Sequence, residues 1–397
     1  MIKFVWRYDI SNKFKWLSKY CIKFISKKDV ISLNYSDISL YKLSELSQIY
    51  GSEKLDSYKT NLKDTFIKGI HSEKIVYNSS ILKSLLVEIN TLYSSIIDLQ
   101  LEKEILLLDA YESATIEGAR TTIEEVKCTL KSGRNTKDTY MVRDTLAASI
   151  LAYSSNFKIN LDSICDIWKV VTQNVCENRN QQLNSSRFRT GMVYVSDGIK
   201  VVHTPEKPEN IESKLTLFLQ QLSQLEESIF VKAALLHFYL VYIHPFCDGN
   251  GRTARICFNS YLYHNGIKNI NKIALSKHIN KDRNNYYKSI SESEKTVKLH
   301  SNVFLDITPS IYYLLNTLKE AMVNTLLLQN KLSEEEKKLL TKMQKRGKGA
   351  EITVRKCSKI LSLSEQKCRI ILNNLTNQGY FSKRKEKTNN IYTLLIR

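Results

Sequence analysis

The run His244-Pro245-Phe246-Cys247-Asp248-Gly249-Asn250-Gly251-Arg252-Thr253-Ala254-Arg255 decides how this chain is read. The apolar stretch leading into it, Ala233 to Phe246, is stopped by Pro245, because the residue ahead of a proline avoids the helical region. Gly249 and Gly251 permit a tight, open loop. A second helix starts behind them, with Ile256, Phe258, Tyr261 and Leu262 as its apolar positions. A glycine-rich loop opening a helix aims free N–H groups and the positive end of the helix dipole at an anion. Arg252 and Arg255 stand three residues apart on one face of the first turn. Cations are unfavourable there unless an anion answers them, so the pair asks for a polyphosphate. His244 can take a proton near neutral pH. Asp248 is a hard oxygen ligand suited to Mg²⁺ (or Mn²⁺) bridging two phosphates. Base, metal ligand, anion nest and two arginines are the parts that phosphoryl or nucleotidyl transfer needs.

Other phosphate motifs fit less well. Gly249-x-Gly251-x-x-Ala254 matches a loose dinucleotide fingerprint, but that motif follows a strand and here a helix precedes it. A Gly-Lys-Ser/Thr phosphate loop is absent, and His244 has no neighbouring His or Cys at zinc spacing.

Composition agrees with a helical protein. The chain has 397 residues, 43% apolar and 25% charged, with only 12 Gly and 4 Pro. Collagen-like and proline-rich disordered classes are excluded, and folds made of many tight turns are disfavoured. Basic residues exceed acidic by 59 to 40, a net charge of +19 that favours an anionic partner. The 8 Cys are scattered without a CxxC pair, which excludes a zinc ribbon and a disulfide framework and fits reduced thiols in a cytoplasmic protein. The N-terminus lacks an apolar signal region, and Ala233 to Phe246 is too short to span a bilayer, so no membrane partner is expected.

Apolar spacing predicts helix from Ser79 to Tyr111, where Leu85, Ile89, Leu92, Ile96 and Leu99 recur at three and four. Thr122 with Glu125 forms a capping box that opens the next helix. Helices follow at 138–155, 161–176, 208–226, 228–243, 252–265, 280–295 and about 305–330. Residues before Ser79 are harder to read, with helix expected only loosely from Asn34 to Gly69. Arg187 to Pro205 differs. Its β-branched runs flank Ser196-Asp197-Gly198, a hairpin signal.

The quoted run resembles the signature of the Fic family, His-Pro-Phe-x-Asp/Glu-Gly-Asn-Gly-Arg-x-x-Arg, at every defined position. The likeness covers roughly residues 84–330. It implies a mainly α fold, a helical bundle with a β-hairpin flap. Most members transfer AMP from ATP to a hydroxyl of a target protein. By this resemblance His244 is the general base toward a Ser, Thr or Tyr hydroxyl, and Asp248 holds the metal on the α- and β-phosphates. The backbone of Gly249, Asn250 and Gly251 forms the anion hole, with Asn250 also touching phosphate. Arg252 then meets the β-phosphate and Arg255 the γ-phosphate, while Phe246 anchors the loop. Met192, Val193, Tyr194 and Val195 lie in a stretch that resembles the flap, which aligns the target chain by strand addition. Tyr287, in Asn285-Tyr286-Tyr287, falls in a stretch resembling the one beside the adenine. Ser113-Ala114-Thr115-Ile116-Glu117-Gly118 resembles the family's inhibitory motif, in which Ser113, Glu117 and Gly118 hold the defined positions and Glu117 pairs with Arg255. A carboxylate on Arg255 would remove the cation meant for the γ-phosphate and repel that phosphate. Competing readings are another transfer on the same fold (UMP, phosphate or phosphocholine), removal of AMP, or a DNA-binding regulator with a sensor core.

The last segment has its own pattern. Ser333 with Glu334, Glu335 and Glu336 starts a helix to about Gly347. A second helix fits Val354 to Leu361, and Ser364 caps a third from Glu365 to Gln378, ended by Gly379. Ser382 to Asn390 reads as a basic loop and Ile391 to Leu395 as a returning strand. This order resembles a winged helix-turn-helix domain, which some Fic proteins append. From Ser333 on there are 16 Lys and Arg against 6 Asp and Glu, about half of the chain's excess charge. Lys367, Arg369, Lys383, Arg384, Lys385 and Lys387 are placed to meet DNA phosphates. The expected organisation is therefore an N-terminal region 1–83, an inhibitory helix region 84–125, a catalytic core 126–330 and a winged-helix domain 332–397. Partners are a target protein, DNA through the wing, and a second copy as a homodimer.

Overall fold

The computed structural model describes residues 39–44, 53–96, 102–132, 135–176, 187–196, 201–299, 301–329, 332–347, 349–377, 380–386 and 389–394. At its centre is a helix apolar on all sides. Ile229–Ile243 buries Ala233, Ala234, Leu235, Leu236, Phe238 and Leu240 together, which marks a core helix rather than a surface one. Behind the loop of the quoted run comes Asn250–His264, equally buried, and the two helices pack against each other.

Around this pair the described helices are, in chain order, α1 (Glu53–Lys59), α2 (Ser79–Ser95), α3 (Glu102–Ile116), α4 (Ile123–Ser132), α5 (Lys137–Ala152), α6 (Leu161–Val171), α7 (Ile211–Gln224), α8 (Ile229–Ile243), α9 (Asn250–His264), α10 (Leu275–Lys281), α11 (Arg283–Ser293) and α12 (Thr308–Gln329). Local capping explains several starts. Thr136 and Thr139 form the capping box of α5, Asn160 and Ser163 that of α6, and Thr122 and Glu125 the expected one before α4. Helix α3 packs on α5 and α10, and α6 lies against α9.

The structure corrects the sequence reading in several places. The long helix expected over 79–111 is two helices, α2 ending at Ser95 and α3 beginning at Glu102. Helix α6 stops at Val171 rather than near 176, where Thr172 closes it. The flap strands are short: β3 (Val195–Ser196) pairs antiparallel with β4 (Val201–His203). Met192, Val193 and Tyr194 precede β3 and are not in the ladder. The Asp197-Gly198 turn itself lies outside the described residues.

Most at odds with expectation is a four-stranded sheet. Where helix was expected loosely before Gly69, β1 (Leu62–Lys68) and β2 (Lys74–Asn78) form a hairpin. Strand β2 then runs parallel to β6 (Asn302–Asp306), which pairs with β5 (Thr296–Leu299), giving the order β1-β2-β6-β5. Buried Asp306 closes this sheet. It accepts hydrogen bonds from the Leu40 N–H at 2.8 Å and the Tyr58 hydroxyl at 2.7 Å.

The chain divides into two compact units. Of the described residues, the larger holds those from 39 to 93 and from 102 to 319, and the smaller holds 94–96 and those from 320 on. Within the smaller unit, helix α13 (Glu334–Gln344), α14 (Val354–Leu361) and α15 (Glu365–Asn377) appear in the expected order. Ser333 and Glu336 cap α13, and Thr353 caps α14. The basic loop expected from Ser382 is instead mostly strand. Phe381–Glu386 (β8) pairs with Asn389–Leu394 (β9), and a further strand, Glu351–Thr353 (β7), adds to the other side of β9. Gly379 and Lys387 lie outside the described residues. Among those described, no helix is long and apolar enough to cross a membrane.

Candidate active site

His244 caps the core helix. Its backbone is left-handed at φ 54°, and its N–H still reaches the Leu240 carbonyl at 3.1 Å. The imidazole Nδ1 lies 3.2 Å from the Val241 carbonyl. That carbonyl can only accept, so Nδ1 carries the proton and Nε2 keeps the lone pair. Burial pushes His244 down to about 4, with the Val241 hydrogen bond opposing and nearby His203 and Arg189 adding to the fall. The imidazole is therefore neutral at physiological pH, with its Nε2 lone pair free to accept a proton.

The loop after it is held on three sides. Phe246 is fully buried and stacks on Trp168 of α6 at 4.8 Å. The Trp168 indole N–H donates to the Asp248 carbonyl at 2.8 Å. Asn250 turns its side chain back onto the loop, accepting from the Phe246 N–H at 3.0 Å and donating to the Phe246 carbonyl at 2.8 Å. The Asn250 side chain thus closes the loop, using one of its two amide hydrogens. Gly249 has φ 77°, and a Cβ there would sit 2.8 Å from the Thr172 methyl.

Both arginines of α9 are buried. Arg252 donates through Nη1 to the Val171 carbonyl at 3.0 Å, and its Nη2 lies 3.9 Å from Asp248 Oδ2. Arg255 donates twice to Ser113, from Nε to the hydroxyl and from Nη2 to the carbonyl, each at 2.9 Å. Its Nη2 also meets Glu117 Oε1 at 2.9 Å. Burial lowers Arg255 and Glu117 more than reverses that, so its charge is held firmly. Among the described residues, Arg252 Nε and Arg255 Nη1 are buried donors with no hydrogen-bond partner. Unsatisfied buried donors on cations are costly, and that of Arg255 lies beside Gly251 in the first turn of α9.

Glu117 is the residue after α3. Gly118, at φ 98°, ends that helix, and Ala119 N–H bonds the Ala114 carbonyl at 3.1 Å. A carboxylate is disfavoured at the negative end of its own helix. It is compensated by Arg255 and by the positive end of α9, because the position of a Cβ on Gly251 is occupied by Glu117 Oε1. Tyr287 of α11 joins the same corner, its hydroxyl 3.3 Å from the Ile116 carbonyl.

Asp248 is exposed. Its Oδ1 accepts the Gly249 N–H at 2.6 Å and its Oδ2 points toward Arg252. Among the described residues no cluster of three or more His, Cys, Asp or Glu could hold a metal. Asp248 is an exposed carboxylate beside Arg252, an oxygen ligand that a divalent ion would need to supplement from elsewhere.

Sequence reasoning missed several members of the site. Arg189, buried at 3% exposure, donates to the His244 carbonyl at 2.8 Å, to the Gly191 carbonyl at 2.9 Å and to the Glu206 carbonyl, and its own N–H reaches the Pro245 carbonyl. It ties the root of the flap to the loop. His203 of β4 bonds the Tyr242 carbonyl at 2.7 Å, a second tie. His237, pushed down to about 3 by burial and then by Arg255, lies 3.0 Å from the Tyr286 hydroxyl. None of these has a spacing signal, since each acts through tertiary contact. Of the four flap residues, Met192 and Tyr194 are exposed at 43% and 60%.

Residues 158–262 match the model of the Fic/DOC family. The protein adenylyltransferase Fic of Nematostella vectensis is 38% identical over 112 residues, covering 28% of this chain and 24% of that protein. Protein adenylyltransferase fic-1 of Caenorhabditis elegans is 28% identical over 194 residues, 45% of this chain and 36% of that protein. The chain thus spans less than half the length of either relative. A crystal structure of a Fic family protein from Desulfovibrio desulfuricans G20 superposes with a TM-score of 0.55 at 18% identity, covering 80% of this chain and 96% of that one. At that identity the likeness concerns the fold, which is mainly helical in both.

Proposed function

We propose that this chain, which carries a Fic/DOC domain over residues 158–262, transfers AMP from ATP to a hydroxyl of a target protein. One observation carries the reading. A neutral imidazole with its lone pair on Nε2 lies on the same short loop as a helix N-terminus whose first turn holds two buried arginines with unpartnered donors. That arrangement suits a triphosphate beside a base. The target hydroxyl gives its proton to His244 Nε2 as its oxygen attacks the α-phosphorus. The bond from phosphorus to the β-bridging oxygen breaks, and pyrophosphate departs. Arg252 and Arg255 stabilise the charge that develops on the leaving group, together with the backbone N–H groups of Gly249, Asn250 and Gly251. A divalent ion held by Asp248 would supply further neutralisation of that charge. The flap root, fixed by Arg189, positions Met192 to Val195 to meet the target's main chain, and Tyr287 flanks the nucleotide.

The same reading includes a brake. Glu117 occupies the anion nest with its own carboxylate and takes the Arg255 charge intended for the γ-phosphate. ATP then meets a site already holding an anion. A hundredfold suppression needs about 2.8 kcal/mol, within reach of one charged pair whose arginine is buried and whose carboxylate is partly exposed.

The test is to incubate the Glu117→Gly form with α-labelled ATP and a cell lysate. Labelled protein bands that disappear with Glu117→Gly/His244→Ala support the transfer. Bands labelled by γ-labelled ATP in a parallel reaction, or none with either label, would sink it.

A further inference from the structure

Cys247 sits inside the loop, between Phe246 and Asp248, and its sulfur lies 3.3 Å from that of Cys176. The two are 71 residues apart in sequence. Both are half-buried, so small oxidants can reach them. Cys176 ends the turn that follows α6, and that turn is itself pinned. Asp144 of α5 accepts from the Asn174 N–H at 3.1 Å, from the Asn174 amide at 2.8 Å and from Gln173 at 3.0 Å. The same turn supports the site: Val171 holds Arg252, and the Thr172 methyl fills the space beside Gly249. One sulfur thus belongs to the catalytic loop and the other to the wall beneath it.

We propose that Cys176 and Cys247 are an oxidisable dithiol, and that peroxide closes it into a disulfide which disables the loop. The Cys176 thiolate attacks hydrogen peroxide, giving the sulfenic acid and hydroxide. The Cys247 sulfur then attacks the sulfenic sulfur, its proton going to the departing oxygen as water. In sum two thiols and one peroxide give one disulfide and two waters: sulfur is oxidised and peroxide oxygen reduced. Bond formation must draw the sulfurs from 3.3 Å to about 2.05 Å. Turn and loop are both anchored, so closing the bond strains the contacts that place Asp248 and Gly249. A misplacement of about 1 Å in such a site can cost about a hundredfold in rate.

The activity arm rests on the proposed function; the chemical arm does not. The full Glu117→Gly chain is treated with hydrogen peroxide and digested without reductant. A Cys176–Cys247 linked peptide, two hydrogens lighter than its parts, is expected by mass spectrometry. Label transfer should fall by about tenfold or more and return with dithiothreitol. The Cys176→Ser form should transfer normally and ignore peroxide. ATP affinity by calorimetry is read alongside, and reports on the loop whether or not the chain transfers AMP. Two results overturn the proposal: oxidation confined to other cysteines such as exposed Cys128, or a linked peptide with transfer and ATP affinity both unchanged.

Discussion

The carboxylate of Glu117 stands where a side chain on Gly251 would have to be, and Arg255, one helical turn further on, grips it at 2.9 Å. Gly251 is thus required by the resting state as well as by any phosphate that replaces Glu117. On the proposed function the two anions would compete for one nest, which makes the release of Glu117 the central test.

Glu117→Gly should raise label transfer by about a hundredfold, seen first as self-modification. Adding Arg255→Ala should erase the gain, because the cation freed by the first change is removed by the second. Equal labelling by wild type and Glu117→Gly would mean that the pair exerts no control.

His244→Ala should lower transfer by about 10²–10⁴-fold while ATP affinity stays close to normal. The pH profile gives a second handle. An ordinary histidine loses half its base form near pH 6.5, but burial holds His244 down to about 4. The neutral base therefore persists as pH falls, and kcat/KM of the Glu117→Gly form should stay level from pH 8 to about pH 5.5. A midpoint near 6.5 assigned to the free enzyme would contradict this environment. Stability moves with the same sign. Between pH 6.5 and about 4 the unfolded chain binds a proton that folded His244 refuses, so stability is lost as pH drops through that window.

Asp248→Ala should remove most transfer and flatten its dependence on Mg²⁺ or Mn²⁺. Its carboxylate is exposed and carries only one short bond, to Gly249, so the fold should survive the change. Thermal denaturation of the variant is the control. Wild-type activity at full rate in excess chelator would exclude the metal role.

Arg189→Met should reduce kcat without a matching rise in KM for ATP. Arg189 touches no atom of the nest, but it holds the His244 carbonyl and the flap root together. Losing it leaves buried carbonyls unsatisfied, so the melting temperature should fall as well. Arg189→Lys keeps the charge but cannot span all three carbonyls, and should recover only part of the rate. A rise in KM alone would place Arg189 in nucleotide binding instead.

The basic strand β8 yields a separate prediction. Lys383, Arg384 and Lys385 are exposed along it, Lys383 above the Tyr392 ring at 5.6 Å. Lys367 and Arg369 are exposed on α15. The full chain should retard duplex DNA at low salt, with binding that weakens steeply as salt rises. Lys367→Glu with Lys383→Glu and Lys385→Glu should abolish it. A full chain that leaves duplex DNA unretarded at low salt would assign this surface to protein docking.

What could be read from the residues alone is what local chemistry encodes. Pro245 and Gly249 break the chain between two helices. Ser333 and Thr122 cap helices through partners within three residues, and α14 spans the expected residues, Val354 to Leu361. Such signals have short reach and a period, so they survive without a partner elsewhere in the chain. The sheet β1-β2-β6-β5 had no such mark, because β2 gains its strand state from β6, at Ile75 against Leu305, far along the chain. The residues of β1 fall within a loosely expected helix and those of β2 carry no assignment, because only strand pairing supplies their hydrogen bonds. The site divides the same way. His244, Asp248, Arg252 and Arg255 are legible because one loop carries them. Arg189 under His244, Asn250 folded back on Phe246, Cys176 against Cys247 and Glu117 over Gly251 exist only once separate segments converge. Burial then decides their chemistry, taking His244 below its ordinary range and leaving two arginine donors unanswered, and burial is a property of the packed chain rather than of any residue in it.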